Sequence, residues 1–106
     1  MYEIVTTPSF EKSLDKLSKR FKKIYNDLEV LEEELIKNPN LGQSLGKNVY
    51  KIRLKNSDIN KGKSKGYRVI TYIIDDDKNI FLLEIYFKGD KSDINENEIE
   101  DLINKI

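Results

Sequence analysis

The chain contains no cysteine and no histidine. Without cysteine there is no disulfide framework and no thiolate metal site. Without histidine the commonest general base and the commonest metal ligand are both missing. Any chemistry must therefore run on Lys, Arg, Tyr, Asp, Glu or Ser. No apolar run approaches the roughly 18 residues of a membrane span. The opening Met1-Tyr-Glu-Ile-Val also lacks the positive and apolar segments of a secretion signal. A cytoplasmic protein with no membrane partner is the expectation. With 106 residues, one compact domain over 1–106 is expected, burying roughly 65% of its unfolded surface.

Net charge is lacking as well, because 19 basic and 19 acidic residues cancel. The cancellation hides a segregation. From Lys47 to Ile70 there are eight Lys or Arg and one acid, Asp58, which leaves 11 basic and 18 acidic residues elsewhere. The basic stretch runs Asn48-Val-Tyr-Lys-Ile-Arg-Leu-Lys55, then Lys61-Gly-Lys-Ser-Lys-Gly-Tyr-Arg68, with Tyr50 and Tyr67 interleaved. Such local positive charge is an electrostatic footprint for a phosphate backbone.

The two prolines and five glycines are few enough to act as punctuation. Tyr2 to Thr6 is a β-prone run ending at Thr7-Pro8, where Thr7 caps a helix whose first residue is proline. Phe10, Leu14 and Leu17, then Phe21, Ile24, Tyr25, Leu28, Leu31 and Leu35, keep a helical period. The polar Ser18-Lys-Arg20 between the two series predicts a helical hairpin, which Asn38-Pro-Asn40 ends. Gly42 and Gly46 mark a loop, after which Tyr50, Ile52 and Leu54 alternate with Lys51, Arg53 and Lys55 as a strand. Residues 56–66 read as a polar loop, Arg68 to Ile74 as a strand, and Asp75 to Asn79 as a turn. In the next strand, Ile80 to Lys88, Phe81, Leu83, Ile85 and Phe87 are expected on the core face and Glu84, Tyr86 and Lys88 on the other. Asn95 caps a last helix carrying Ile99, Leu102, Ile103 and Ile106. That stripe either packs on the sheet or serves as a partner groove, and the helix's acids either stay solvated or face the basic sheet.

The order strand, helical hairpin, three-stranded meander and final helix, joined to four stretches of text, resembles the RelE/ParE superfamily of bacterial toxin–antitoxin toxins, in its HigB-like branch. The stretches are Tyr50-Lys-Ile-Arg-Leu54, Gly62-Lys-Ser-Lys-Gly-Tyr-Arg-Val-Ile-Thr-Tyr72, Leu82-Leu-Glu-Ile-Tyr-Phe-Lys88 and Lys91-Ser-Asp-Ile94. The resemblance implies an α+β, RelE-like fold with a mostly antiparallel sheet of about four strands, in the order β-α-α-β-β-β-α. It further implies a ribosome-dependent mRNA endoribonuclease, needing neither metal nor cofactor, silenced by a cognate antitoxin and working in the ribosomal A site beside rRNA.

By motif position the resemblance puts Lys51, Arg53 and Arg68 where ribosome-dependent relatives keep their principal basic catalytic residues. Tyr86 and Lys88 share a strand side with one another and are candidates on the neighbouring rung. Glu84, also on that side, is either a general base in a histidine-free site or an ion-pair partner of Arg53 or Arg68. Lys47, Lys55, Lys61, Lys63, Lys65 and Lys91 are candidate RNA contacts, the loop lysines holding the backbone. The best-characterised branch has arginine and tyrosine where this chain has Gly89 and Asn95. Lys65 replaces a usual glycine, and Thr71 replaces a usual tyrosine, which leaves Tyr67 and Tyr72 as stacking candidates. Two other functions fit the same text: a ParE-like toxin that inhibits DNA gyrase without catalysis, and a module that docks on RNA or the ribosome without cutting.

Overall fold

The computed structural model describes residues 1–60, 62 and 65–106. Its elements are β1 (Glu3–Thr6), α1 (Pro8–Ser18), α2 (Ile24–Lys37), β2 (Gln43–Gly46), β3 (Val49–Leu54), β4 (Tyr67–Ile74), β5 (Asn79–Phe87) and α3 (Glu96–Asn104). The five strands form one mixed sheet in the order β1-β5-β4-β3-β2, an α+β arrangement. β1 runs parallel to β5, and every other pairing is antiparallel.

Helix α1 starts where its cap residues place it. The Thr7 hydroxyl accepts from the Phe10 N–H at 3.3 Å and donates to the Leu82 carbonyl at 3.0 Å, so one side chain both caps the helix and ties it to β5. Thr7→Ala is expected to lose about 1–2 kcal/mol of stability, read as a lower urea midpoint at unchanged slope. At the other end of the chain, Asn95 and Glu98 close a capping box on α3.

The hairpin of α1 and α2 lies on one face of the sheet. Phe10, Leu17, Phe21, Ile24, Leu28, Leu31 and Leu35 pack there against Ile52, Leu54, Tyr67, Val69, Ile73, Leu82 and Ile85. Tyr25, expected in the apolar series, is instead 56% exposed, because it falls a residue off the buried stripe. On the opposite face α3 delivers Ile99, Leu102 and Ile103, with Ile94 just before it, onto Val49, Ile70, Leu83 and Tyr86. The stripe therefore packs on the sheet through these residues, while Ile106 stays exposed.

Two expectations about the sheet change. The segment around Gly42 and Gly46 is not simply a loop: Gln43–Gly46 forms a fifth, fully exposed edge strand. It joins β3 through a two-residue turn in which Lys47 and Asn48 both take positive φ, 51° and 65°, the backbone of a tight hairpin. The second change is in β5. Its partners in β4 run Ile70↔Glu84 and then Thr71↔Leu82, so Leu83 is an extra residue, a β-bulge. The bulge resets the alternation. Phe81 and Leu83 lie on the α3 face with Tyr86, whereas Ile85 and Phe87 lie on the hairpin face.

Candidate functional site

The bulge decides what the α3 face of the sheet carries. Register places Arg53 opposite Arg68, and Arg68 opposite Tyr86, as one rung across β3, β4 and β5. The adjacent rung is Lys51, Ile70 and Glu84. Opposed side chains on neighbouring strands have Cβ atoms about 4.5–5.5 Å apart, so five of the six catalytic candidates occupy two neighbouring rungs. Lys88, two residues beyond Tyr86, points the same way. Its ammonium donates to the Ser92 carbonyl.

This cluster stands beside an open edge. Strand β2 pairs with β3 only as far as Lys51. Beyond that point a cleft of about 600 Å³ opens around the edge of β3, reaching from Val30 and Glu34 of α2 past Gln43 to Lys51, Arg53, Arg68 and Lys88. Arg53 is exposed and Arg68 is buried, at 5% exposure. Burial, and next the facing Arg53, push the Arg68 guanidinium below its ordinary pKa. Like charges held directly opposite one another are unfavourable in a sheet, so this rung suits an arriving anion.

Tyr86 is the rung's proton-bearing member. Burial, and then the nearby Asp93 carboxylate, push its hydroxyl up to about 12 against the opposing pull of Arg68. The hydroxyl lies near Asp93 without closing a hydrogen bond of standard geometry. Tyr86 therefore stays protonated at neutral pH. Asp93 itself is held below the usual carboxylate range, first by the Ile94 N–H, then by Lys51, whose ammonium sits 3.2 Å away. Glu84 pairs with neither arginine. Its carboxylate accepts from the Ile85 N–H at 3.0 Å, and it is absent from the ion pairs among the described residues.

The candidate RNA contacts scatter more widely. Lys47, in the β2–β3 turn, and Lys55, at the end of β3, are exposed, as is Lys65. Lys61 and Lys63 lie outside the described residues. Lys91 is engaged, forming an ion pair with Glu98 of α3 and standing 5.9 Å from the Tyr86 ring centroid. Tyr72 is on the α3 face but four residues along β4 from Arg68, roughly 13 Å away at strand rise, where it packs against the apolar cluster. Tyr67 does not belong with the others. It is fully buried on the hairpin face, edge-on to Phe21 at 5.8 Å and to Phe87 at 6.2 Å. Strand alternation turns it away from the basic rung, so it offers no base a stacking surface.

The lysine-bearing segment between β3 and β4 is anchored at its start. The Asp27 carboxylate of α2 accepts from both the N–H and the hydroxyl of Ser57. The Asn56 side chain accepts from the Asp58 N–H at 2.9 Å, and Asp58 accepts from the Lys23 N–H at the head of α2. Sequence reasoning gave Asp27, Asn56 and Ser57 no role, since isolated polar residues have no periodicity to reveal them, and left Asp93 among the acids that either stay solvated or face the basic sheet, of which the second holds for Asp93.

The family model described as the ParE toxin of type II toxin–antitoxin systems, parDE, matches residues 4–86. The chain belongs to this toxin family. Membership implies a cognate antitoxin as partner. Solved structures with the same fold include an arginine-to-alanine double mutant of the E. coli toxin RelE in the free state, with a TM-score of 0.64 and 18% identity over 99% of this chain and 97% of that one. The isolated E. coli RelE toxin in its P21 form gives 0.60 and 19%, with both chains covered completely. The family model makes the toxin a RelE/ParE superfamily member, and its fold matches those structures over the whole chain. No helix among its described residues is long and apolar enough to cross a membrane.

Proposed function

We propose that this toxin is an endoribonuclease that cuts mRNA on the ribosome and so inhibits translation, using no metal. The observation that carries the reading is the rung Arg53, Arg68 and Tyr86, flanked by Lys51, of which Lys51, Arg53 and Arg68 line an open cleft. RNA brings its own nucleophile. Its 2′-OH attacks the adjacent phosphorus, a new O–P bond forms, the bond to the 5′-oxygen breaks, and a 2′,3′-cyclic phosphate and a 5′-OH result.

Each step has a group to serve it. Lys51, Arg53 and Arg68 neutralise the phosphorane-like transition state, with the arginines matching its oxygens as planar forks. Tyr86, protonated and neighbouring Arg68, donates its proton to the departing 5′-oxygen. Glu84 is the carboxylate on the adjacent rung able to take the 2′-OH proton, and Lys88 extends the positive surface toward the backbone. Exposed Lys47, Lys55 and Lys65, with Lys61 and Lys63, add sequence-independent and salt-sensitive attraction.

The ParE family match favours a second reading, a non-cleaving toxin acting on DNA gyrase. The two part on their products. Mapping mRNA 5′ ends after brief induction, with translation running or blocked, is expected to show cuts inside translated frames that vanish when translation stops. They should vanish also in Arg53→Ala, whose exposed side chain can be removed without disturbing the core. Growth arrest with broken DNA and intact mRNA would establish the gyrase reading instead, and RNA binding without new ends would establish a docking module.

A further inference from the structure

The loop between β5 and α3 places one carboxylate among the cations of the candidate site. Asp93 meets the Lys51 ammonium at 3.2 Å, and its charge is felt by Lys88, Arg68 and Tyr86. The Lys51 side chain, 22% exposed, is thereby drawn toward the Tyr86 side of the sheet, while Asp93 is itself fixed by the Ile94 N–H at 2.9 Å. The capping box of Asn95 and Glu98 follows immediately and gives that loop a defined exit.

We propose that Asp93 is a positioning residue of the RNA-cleaving site, holding Lys51 in register with the Arg53, Arg68 and Tyr86 rung for a single phosphate. The proposal rests on the ribonuclease reading above. A lysine carries a flexible four-carbon stem, and a carboxylate partner narrows where its charge sits before substrate arrives. The same carboxylate disfavours the Tyr86 phenolate. The charged groups facing Tyr86 are Arg68 from β4, Lys91 and Asp93 from the loop and Glu98 from α3. Of the acids, Asp93 acts on it most strongly.

The test compares wild type, Asp93→Asn and Asp93→Glu on ribosomes programmed with a short mRNA. Asp93→Asn is expected to lower kcat about 10- to 100-fold, as misplacement of reacting groups does, with KM within about twofold. Asp93→Glu should recover part of the loss. Independently of activity, the Tyr86 titration midpoint followed by NMR of labelled tyrosine, assigned with Tyr86→Phe, should fall in Asp93→Asn. An unchanged midpoint, an unchanged kcat, or a higher kcat with a lower KM overturns the proposal, the last marking Asp93 as an anion that the phosphate must displace. If wild type cuts no RNA, the ribonuclease reading fails and the role falls with it. Cutting by wild type beside an undiminished Asp93→Asn removes the role of Asp93 alone.

Discussion

Arg68→Ala is expected to lower the rate of RNA cleavage by about 10²- to 10³-fold, the loss that follows removal of one preorganised donor from a transition-state oxyanion. The expectation is large because Arg68 is the centre of its rung, with Arg53 on one side and Tyr86 on the other. It is also the buried one, and a desolvated cation acts on a developing charge far more strongly than an exposed one. Arg68→Lys should recover little, since an ammonium cannot present the planar fork that grips two oxygens together. Single-turnover cleavage on programmed ribosomes measures the rate, and a thermal melt of each variant separates lost chemistry from lost folding. A fully active and folded Arg68→Ala would remove the rung from the mechanism.

Tyr67, one residue away, should behave in the opposite manner. Tyr67→Ala is expected to destabilise the protein by about 3–5 kcal/mol, the range for emptying a buried aromatic site, because the ring is fully enclosed between Phe21 and Phe87. Tyr67→Phe is expected to retain or raise stability and leave cleavage untouched, since the hydroxyl is buried with no hydrogen-bond partner among the described residues and removing such a group relieves its desolvation. Burial first, and then Asp27 and Asp58, raise the Tyr67 pKa. A raised value means stability that is intact below the unfolded-state pKa of about 10 and is lost as pH climbs from there toward the folded value. Urea melts between neutral and strongly alkaline pH should show that decline in wild type and a weaker one in Tyr67→Phe. A Tyr67→Phe protein that folds but cuts poorly would reinstate the ring as an RNA contact.

The contrast between these neighbours shows what the sequence made legible. Strand alternation paired Lys51 with Arg53 on one face, and Thr7-Pro8 and Asn95 announced their helices through local capping chemistry that needs no tertiary context. Strand β2 was not legible, because Gln43-Ser-Leu-Gly46 is exposed throughout and shows itself by its backbone pairing with β3. Tyr67 and Tyr72 could not be separated from contacts with RNA by residue type, since a strand tyrosine serves a core and a stacking platform equally well. Glu84 looked like a partner for the arginines, yet its carboxylate turned to the backbone of the next residue. The role argued for Asp93 depends on a loop closing over the sheet, a long-range event that no spacing encodes.

The bulge at Leu83 bears on every residue-by-residue comparison of this toxin with its relatives. Strand β5 runs in two phases offset by one position, so its first half aligns by one frame and its second half by another. An ungapped alignment with a relative whose strand lacks the extra residue would keep the core in step before the bulge and transfer site roles after it to the wrong side of the sheet. Across so diverged a pair as this chain and E. coli RelE, at 18–19% identity, equivalent positions in β5 are therefore best sought by facing partner across the ladder, Tyr86 through Arg68 and Glu84 through Ile70, instead of by column.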